Sequence, residues 1–162
     1  MKRYRVAVVG LVVVGSVLVP VSAQADVAAP AAGSTCPAEI ADTMTLLPDE
    51  STYVRCQQSG LGYAWVPVQT PFEPNDTWLS YGPTITLHGQ GMRNPNLSSG
   101  QWTATPQDPE TTCQVTQTTV VEAGVLAEPQ IVAGEQGQPM DVEMLPKLFY
   151  VDLAGNCLWS KQ

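Results

Sequence analysis

The sequence predicts a mainly β protein. It should be a small antiparallel β-sandwich or partly open barrel of about seven to eight short strands, with one short N-terminal helix and two disulfides. Three observations carry that expectation. Fourteen prolines and thirteen glycines punctuate the chain, and after Leu47 they recur too often for long helices. Between them lie short runs in which apolar and polar residues alternate, the period of a strand with one buried face. Cys36, Cys56, Cys113 and Cys157 make an even set behind an apparent export signal, the pattern of a disulfide framework.

Residues 1–25 read as a secretory signal peptide. Lys2, Arg3 and Arg5 supply its charged start, and Val6–Val19 is an apolar run of 14 residues. That run falls short of the roughly 20 residues needed to cross a bilayer, so removal is expected and no transmembrane segment remains after it. Ala23 and Ala25 hold the small-residue positions before a cleavage point after Ala25. Residues 26–35, rich in Ala, Pro and Gly, are expected to be a flexible leader, and residues 36–162 a single domain.

Pro37–Leu47 is the one plausible helix. Pro37 suits a first turn, Glu39 and Asp42 sit near the positive end of the dipole, and Ile40, Met44 and Leu47 share a helical face. Strands are then expected at Tyr53–Cys56 and Tyr63–Val68, the second at an edge because Pro67 lacks an N–H. Thr84–His88 places Ile85 and Leu87 on one face, and Gln101–Thr105 turns Trp102 and Ala104 inward. Cys113–Val121 begins with Cys113 and Val115 together, and its alternation slips near Thr118, as at a bulge. Met140–Leu145 alternates Met140, Val142 and Met144 with acids. Leu148–Leu153 and Cys157–Trp159 read as a hairpin turning at Ala154-Gly155-Asn156. Three cysteine pairings are possible. Cys36–Cys56 with Cys113–Cys157 is favoured, because Cys113 and Cys157 both fall on apolar strand faces.

From Ser99 onward, Gly100, Trp102 and Cys113 and then Gly155, Cys157 and Trp159 follow a recurrent pattern. Here the chain resembles small exported β-domain proteins of actinobacteria, of the mycobacterial type. In those proteins G-x-[YW]-x-[ST] precedes a cysteine, and a second cysteine follows in a Gly-Cys-aromatic setting. This chain has Gln114-Val115 after the first cysteine and Asn156 before the second. The resemblance implies a disulfide-closed β domain of the cell envelope or medium, and no particular reaction.

Charge narrows the function. With the signal removed, Arg55, Arg93, Lys147 and Lys161 stand against 15 acids, a net charge of −11 for residues 26–162. Clustered cations for nucleic acid or an anionic membrane are missing. No phosphate-binding glycine loop, no nucleophile elbow, no C-x-x-C pair and no calcium loop occurs, and no cofactor or metal is expected. His88 is the one histidine. It would have to serve as the base of any Ser–His–acid triad. Glu110, Glu122, Asp141, Glu143 and Asp152 lie in or beside strands at mostly polar positions. Trp65, Trp78, Tyr81 and Trp102 cluster in the central region near Asn75, Asp76, Asn94, Asn96 and Gln101, a possible ligand face for a sugar; they equally suit a core.

The leading expectation is therefore an exported, non-catalytic binding or interaction module of the envelope or medium, with a protein, glycan or lipid as partner. One alternative is a small secreted hydrolase of wall glycan or lipid, using carboxylates such as Glu110 or Asp141, or else His88. Another is a carbohydrate or lipid carrier, using Trp65, Trp78 and Trp102 or an apolar pocket lined by Met140, Met144 and Phe149.

Overall fold

A computed structural model describes residues 28–162; the expected signal segment, and residues 26 and 27 of the expected leader, lie outside them. Among the described residues there are ten strands: β1 Met44–Leu46, β2 Tyr53–Ser59, β3 Gly62–Pro67, β4 Thr77–His88, β5 Gly100–Pro106, β6 Gln114–Glu122, β7 Val125–Leu126, β8 Gln130–Ala133, β9 Met140–Met144 and β10 Leu148–Lys161. The mainly β expectation holds, with longer and more numerous strands than the alternation alone suggested.

The helix expectation does not hold. Only Ala38–Ile40 turns, as a 3-10 helix, and Met44–Leu46 is strand. The helical spacing of Ile40, Met44 and Leu47 is a coincidence of two-sided burial. Met44 enters the main core, while Ile40 and Leu47 pack on a second cluster. Asp42 adopts a left-handed conformation at φ 65° that breaks the turn. The chain then gains backbone partners in both β2 and β4, which outweighs a marginal three-turn helix. The β1–β4 contact is parallel, a departure from the all-antiparallel expectation.

The expected hairpin is also corrected. Leu148 to Lys161 is one strand, and Ala154-Gly155-Asn156 passes through it without turning. Val151, Leu153, Cys157 and Trp159 are all buried, so the period of two runs unbroken across Gly155. The irregularity lies on the partner. Leu153 faces Ile85 and Gly155 faces Gly82, so Pro83 and Thr84 of β4 stand opposite Ala154 alone. This bulge switches the inward parity of β4 from Trp78 and Ser80 to Ile85 and Leu87. The slip expected near Thr118 is real. There the pairing shifts where Thr119 and Thr118 meet Leu148 and Tyr150, leaving Phe149 extra on β10.

The strands run in the order β3-β2-β1-β4-β10, and the sheet then forks. Along its first half, Leu148–Ala154, β10 pairs with β6; along Cys157–Lys161 it pairs with β5. One branch continues from β5 to β9, the other from β6 to β7 and β8. The branches approach again through Gln117 of β6. Its amide donates to the Glu143 carbonyl at 2.9 Å and accepts from the Leu145 N–H at 2.9 Å. A partly open barrel is thus bridged by one side chain where a backbone ladder would close it.

The main core fills this barrel with Trp78, Trp102, Trp159, Leu87, Leu97, Met144, Leu153 and their neighbours. A second cluster of Cys36, Val54, Cys56 and Trp65 covers the other face of β2 and β3. Each cluster holds one disulfide, Cys36–Cys56 and Cys113–Cys157, the favoured pairing. The second ties the residue before β6 to β10 at the fork.

Candidate functional site

The four rings of the expected ligand face are buried: Trp65 and Tyr81 are 3% exposed, Trp78 and Trp102 0%. This corrects the aromatic-platform reading. Trp65 lies opposite Cys56 in the second cluster, and the other three belong to the main core. The polar tips of these three are satisfied internally. Trp78 donates to the Asn75 carbonyl at 3.1 Å, Trp102 to the Ser98 carbonyl at 3.1 Å, and Tyr81 to the Leu46 carbonyl at 2.8 Å. Buried aromatics with bonded tips are scaffold. Two of the nearby amides are scaffold too. Asn75 donates to the Thr77 carbonyl at 2.6 Å, and Asn96 accepts from the His88 N–H at 2.7 Å. Met140 and Met144 are core, and Phe149 is half-buried with its ring edge-on to Tyr150.

Of the motif residues noted in the sequence, Trp102, Cys113, Cys157 and Trp159 are all fully buried, and Gly155 lies against the Thr112 carbonyl and the Cys157 sulfur. Their role in this fold is to pack it.

Two surfaces remain that could act on something outside the chain. One is a furrow of two shallow hollows, about 380 and 330 Å³, that share Tyr53 and His88. Glu50 and Thr86 border the first, and Phe72, Met92 and Arg93 the second. Tyr53 packs edge-on against Phe72 and Trp78 and points its hydroxyl at Asn96, 3.3 Å away. Burial raises the Tyr53 phenol above its usual pKa, partly offset by that bond to Asn96. The His88 ring leans on Tyr150 at 5.7 Å. Among the described residues its imidazole makes no hydrogen bond to a carboxylate or hydroxyl. Glu110 is exposed in the β5–β6 loop, and exposed Asp141 accepts from Thr103 on β5. Among the described residues no hydrogen bond joins His88 to Glu110 or Asp141. Among the described residues no group of three or more His, Cys, Asp or Glu side chains is placed to hold a metal ion.

The other surface is the edge formed by β7 and β8, which the sequence reading left unassigned. Val125, Leu126, Ile131 and Val132 are 40–65% exposed, and Val121 adjoins them. Among the described residues both strands pair only with β6. The signal was present in the sequence as two apolar pairs, Val125-Leu126 and Ile131-Val132, set in a stretch of Gln, Glu, Gly and Pro. Nothing local shows that such pairs stay uncovered.

The chain matches no family model, no curated protein and no solved structure.

Proposed function

We propose that this protein is an exported, non-catalytic binding module that docks a partner protein in the cell envelope or medium. Two disulfides suit an oxidising compartment, and no described helix is long and apolar enough to cross a membrane. The signal-like residues 1–25 and the resemblance to exported actinobacterial β domains support the same location. The observation that carries the reading is the set of exposed apolar residues along the edge at β7 and β8, on a surface otherwise rich in acids. Exposed apolar patches rimmed by polar residues mark interaction sites. The buried tryptophans remove the main support for a sugar-binding face.

The test is to express the full chain with its own N-terminal segment, fractionate the cells and determine the mature N-terminus. The oxidised product is then screened against envelope glycans, lipid vesicles and exported proteins. The reading expects extracytoplasmic recovery and saturable binding to a protein. Cytoplasmic retention, or binding confined to glycans, counts against it. Hydrolytic turnover that His88→Ala abolishes would replace it with the hydrolase alternative.

A further inference from the structure

We propose that the β7–β8 edge accepts an extended, cationic segment of a partner protein as an added strand. The inference rests on the binding-module reading and specifies its partner's chemistry. The forked sheet has three ends; one is covered by backbone and one is partly occupied by a side chain. At β3, Gly33 donates to the Trp65 carbonyl, Trp65 to the Ser34 carbonyl and Cys36 to the Tyr63 carbonyl, so the preceding segment covers that edge. At β9, the Gln117 amide occupies the backbone groups of Glu143 and Leu145. The β7–β8 end has no such cover among the described residues.

Its backbone is oriented for pairing. Gly134 donates its N–H to the Cys113 carbonyl, so in the alternating ladder Val132 and Gln130 face β6. Ile131 and Ala133 therefore turn their N–H and C=O groups outward. Their neighbours offer apolar contact on both faces. Ile131 is paired with Thr116 on one face and Val132 with Val115 on the other, and both are exposed. Strand addition uses these two features together: main-chain bonds for affinity and alternate side chains for selection.

Charge selects the occupant. Exposed Glu122, Glu128 and Glu135 rim the edge. From Asn94 to Pro146 there are seven acids and no Lys, Arg or His. A second copy added antiparallel would bring Glu128 of one chain toward Glu135 of the other, which like-charge repulsion disfavours. An anionic membrane is repelled by the same rim. The complementary occupant is a strand alternating Lys or Arg with Val, Ile or Leu.

The probe is a synthetic peptide of alternating lysine and valine matching Val125–Ala133 in length, titrated into the oxidised chain labelled for NMR. Binding is expected to weaken with added salt, and shifts should be confined to residues around 122–135. A glutamate–valine peptide should bind at least about tenfold more weakly, as should the lysine–valine peptide N-methylated at alternate residues. Ala133→Pro removes an outward N–H without touching the β6 ladder. It should lower affinity by a similar factor with unchanged thermal stability. Equal binding of the glutamate peptide, or shifts elsewhere, overturns the proposal. So does a concentration-dependent dimer that Ile131→Lys dissolves. If the lysine peptide fails while the screen yields a protein bound at another surface, the edge assignment falls and the binding-module reading stands.

Discussion

The Gln117 side chain meets two part-buried backbone groups, the Glu143 carbonyl and the Leu145 N–H. Gln117 is itself 3% exposed. Leucine there fills similar volume and leaves both groups unpaired, at about 1–3 kcal/mol each. Gln117→Leu is therefore expected to shift the urea midpoint markedly, while Gln114→Leu, at an exposed position of the same strand, should not. Titration gives a second residue-scale expectation. Bonds from Asn156 and Thr111, with the Glu110 N–H, hold the Asp108 carboxyl below its ordinary 3.8, and bonds from Thr52 and Ser51 do the same for Asp49. A carboxyl with a lowered folded-state pKa adds stability above its unfolded value and loses it as pH falls through the folded one. The denaturation midpoint should thus decline below about pH 4, and less steeply in Asp108→Asn. Burial raises the phenols of Tyr53 and Tyr81, the latter with help from the Asp49 charge. The sign is then opposite. Stability is held below pH 10.0 and falls as the pH rises beyond it.

At the level of elements, β10 organises the fold. It pairs with β4 along almost its whole length and divides its other edge between β6 and β5. Gly155 makes the crossing possible. Its φ is +91°, and a Cβ there would lie 2.5 Å from the Thr112 carbonyl and 3.1 Å from the Cys157 sulfur. Gly155→Ala should therefore cost more than the ordinary penalty of about 1 kcal/mol for a left-handed alanine. It should also slow formation of the Cys113–Cys157 bridge, read as residual free thiol after refolding. Normal stability and complete oxidation in that variant would show that the backbone at the fork moves aside easily. The bulge of Pro83 and Thr84 has a positional consequence. By changing the parity of β4 it sends Ile85 and Leu87 inward and leaves His88 to border the furrow.

For the whole molecule, the two disulfides divide the labour between the two hydrophobic clusters. Cys113–Cys157 closes 44 residues and locks the fork; Cys36–Cys56 closes 20 and ties the preceding segment to β2. In the chain-entropy account their contributions are about 4 and 3 kcal/mol. Replacing Cys113 and Cys157 together by Ala should lower the melting temperature more than replacing Cys36 and Cys56. The second pair of substitutions should instead leave the main core folded while the edge of β3 becomes exposed to hydrogen exchange. Equal global unfolding by both would show that the two clusters form one cooperative unit. The acidity is a property at this scale too, because the fold gathers the cation-free stretch from Asn94 to Pro146 into the branches beside the open edge.

Much of this was legible in the residues. The alternation of Ile85 with Leu87 and of Met140, Val142 and Met144 marked strands by their period of two, a local property. The even cysteine set and its apolar strand positions favoured the observed pairing. The strand at Tyr63–Val68 announced its edge position through Pro67, whose missing N–H is visible in the sequence. The helix at Pro37–Leu47 was misread because its apolar spacing fits one helical face and also a strand buried on both sides. The turn at Gly155 was misread because a glycine with positive φ serves a turn and a close crossing alike. The ligand face was misplaced because a tryptophan looks the same in a core and on a platform until its indole N–H finds a carbonyl. By itself the sequence determined the β class, the disulfide framework and the acidity, since these depend on local periodicity and composition. Only the tertiary structure decided which rings are buried, where the sheet forks and which edge is left open. Those depend on pairings between residues distant in the chain, and a strand shows its free edge only when every other strand has found its place.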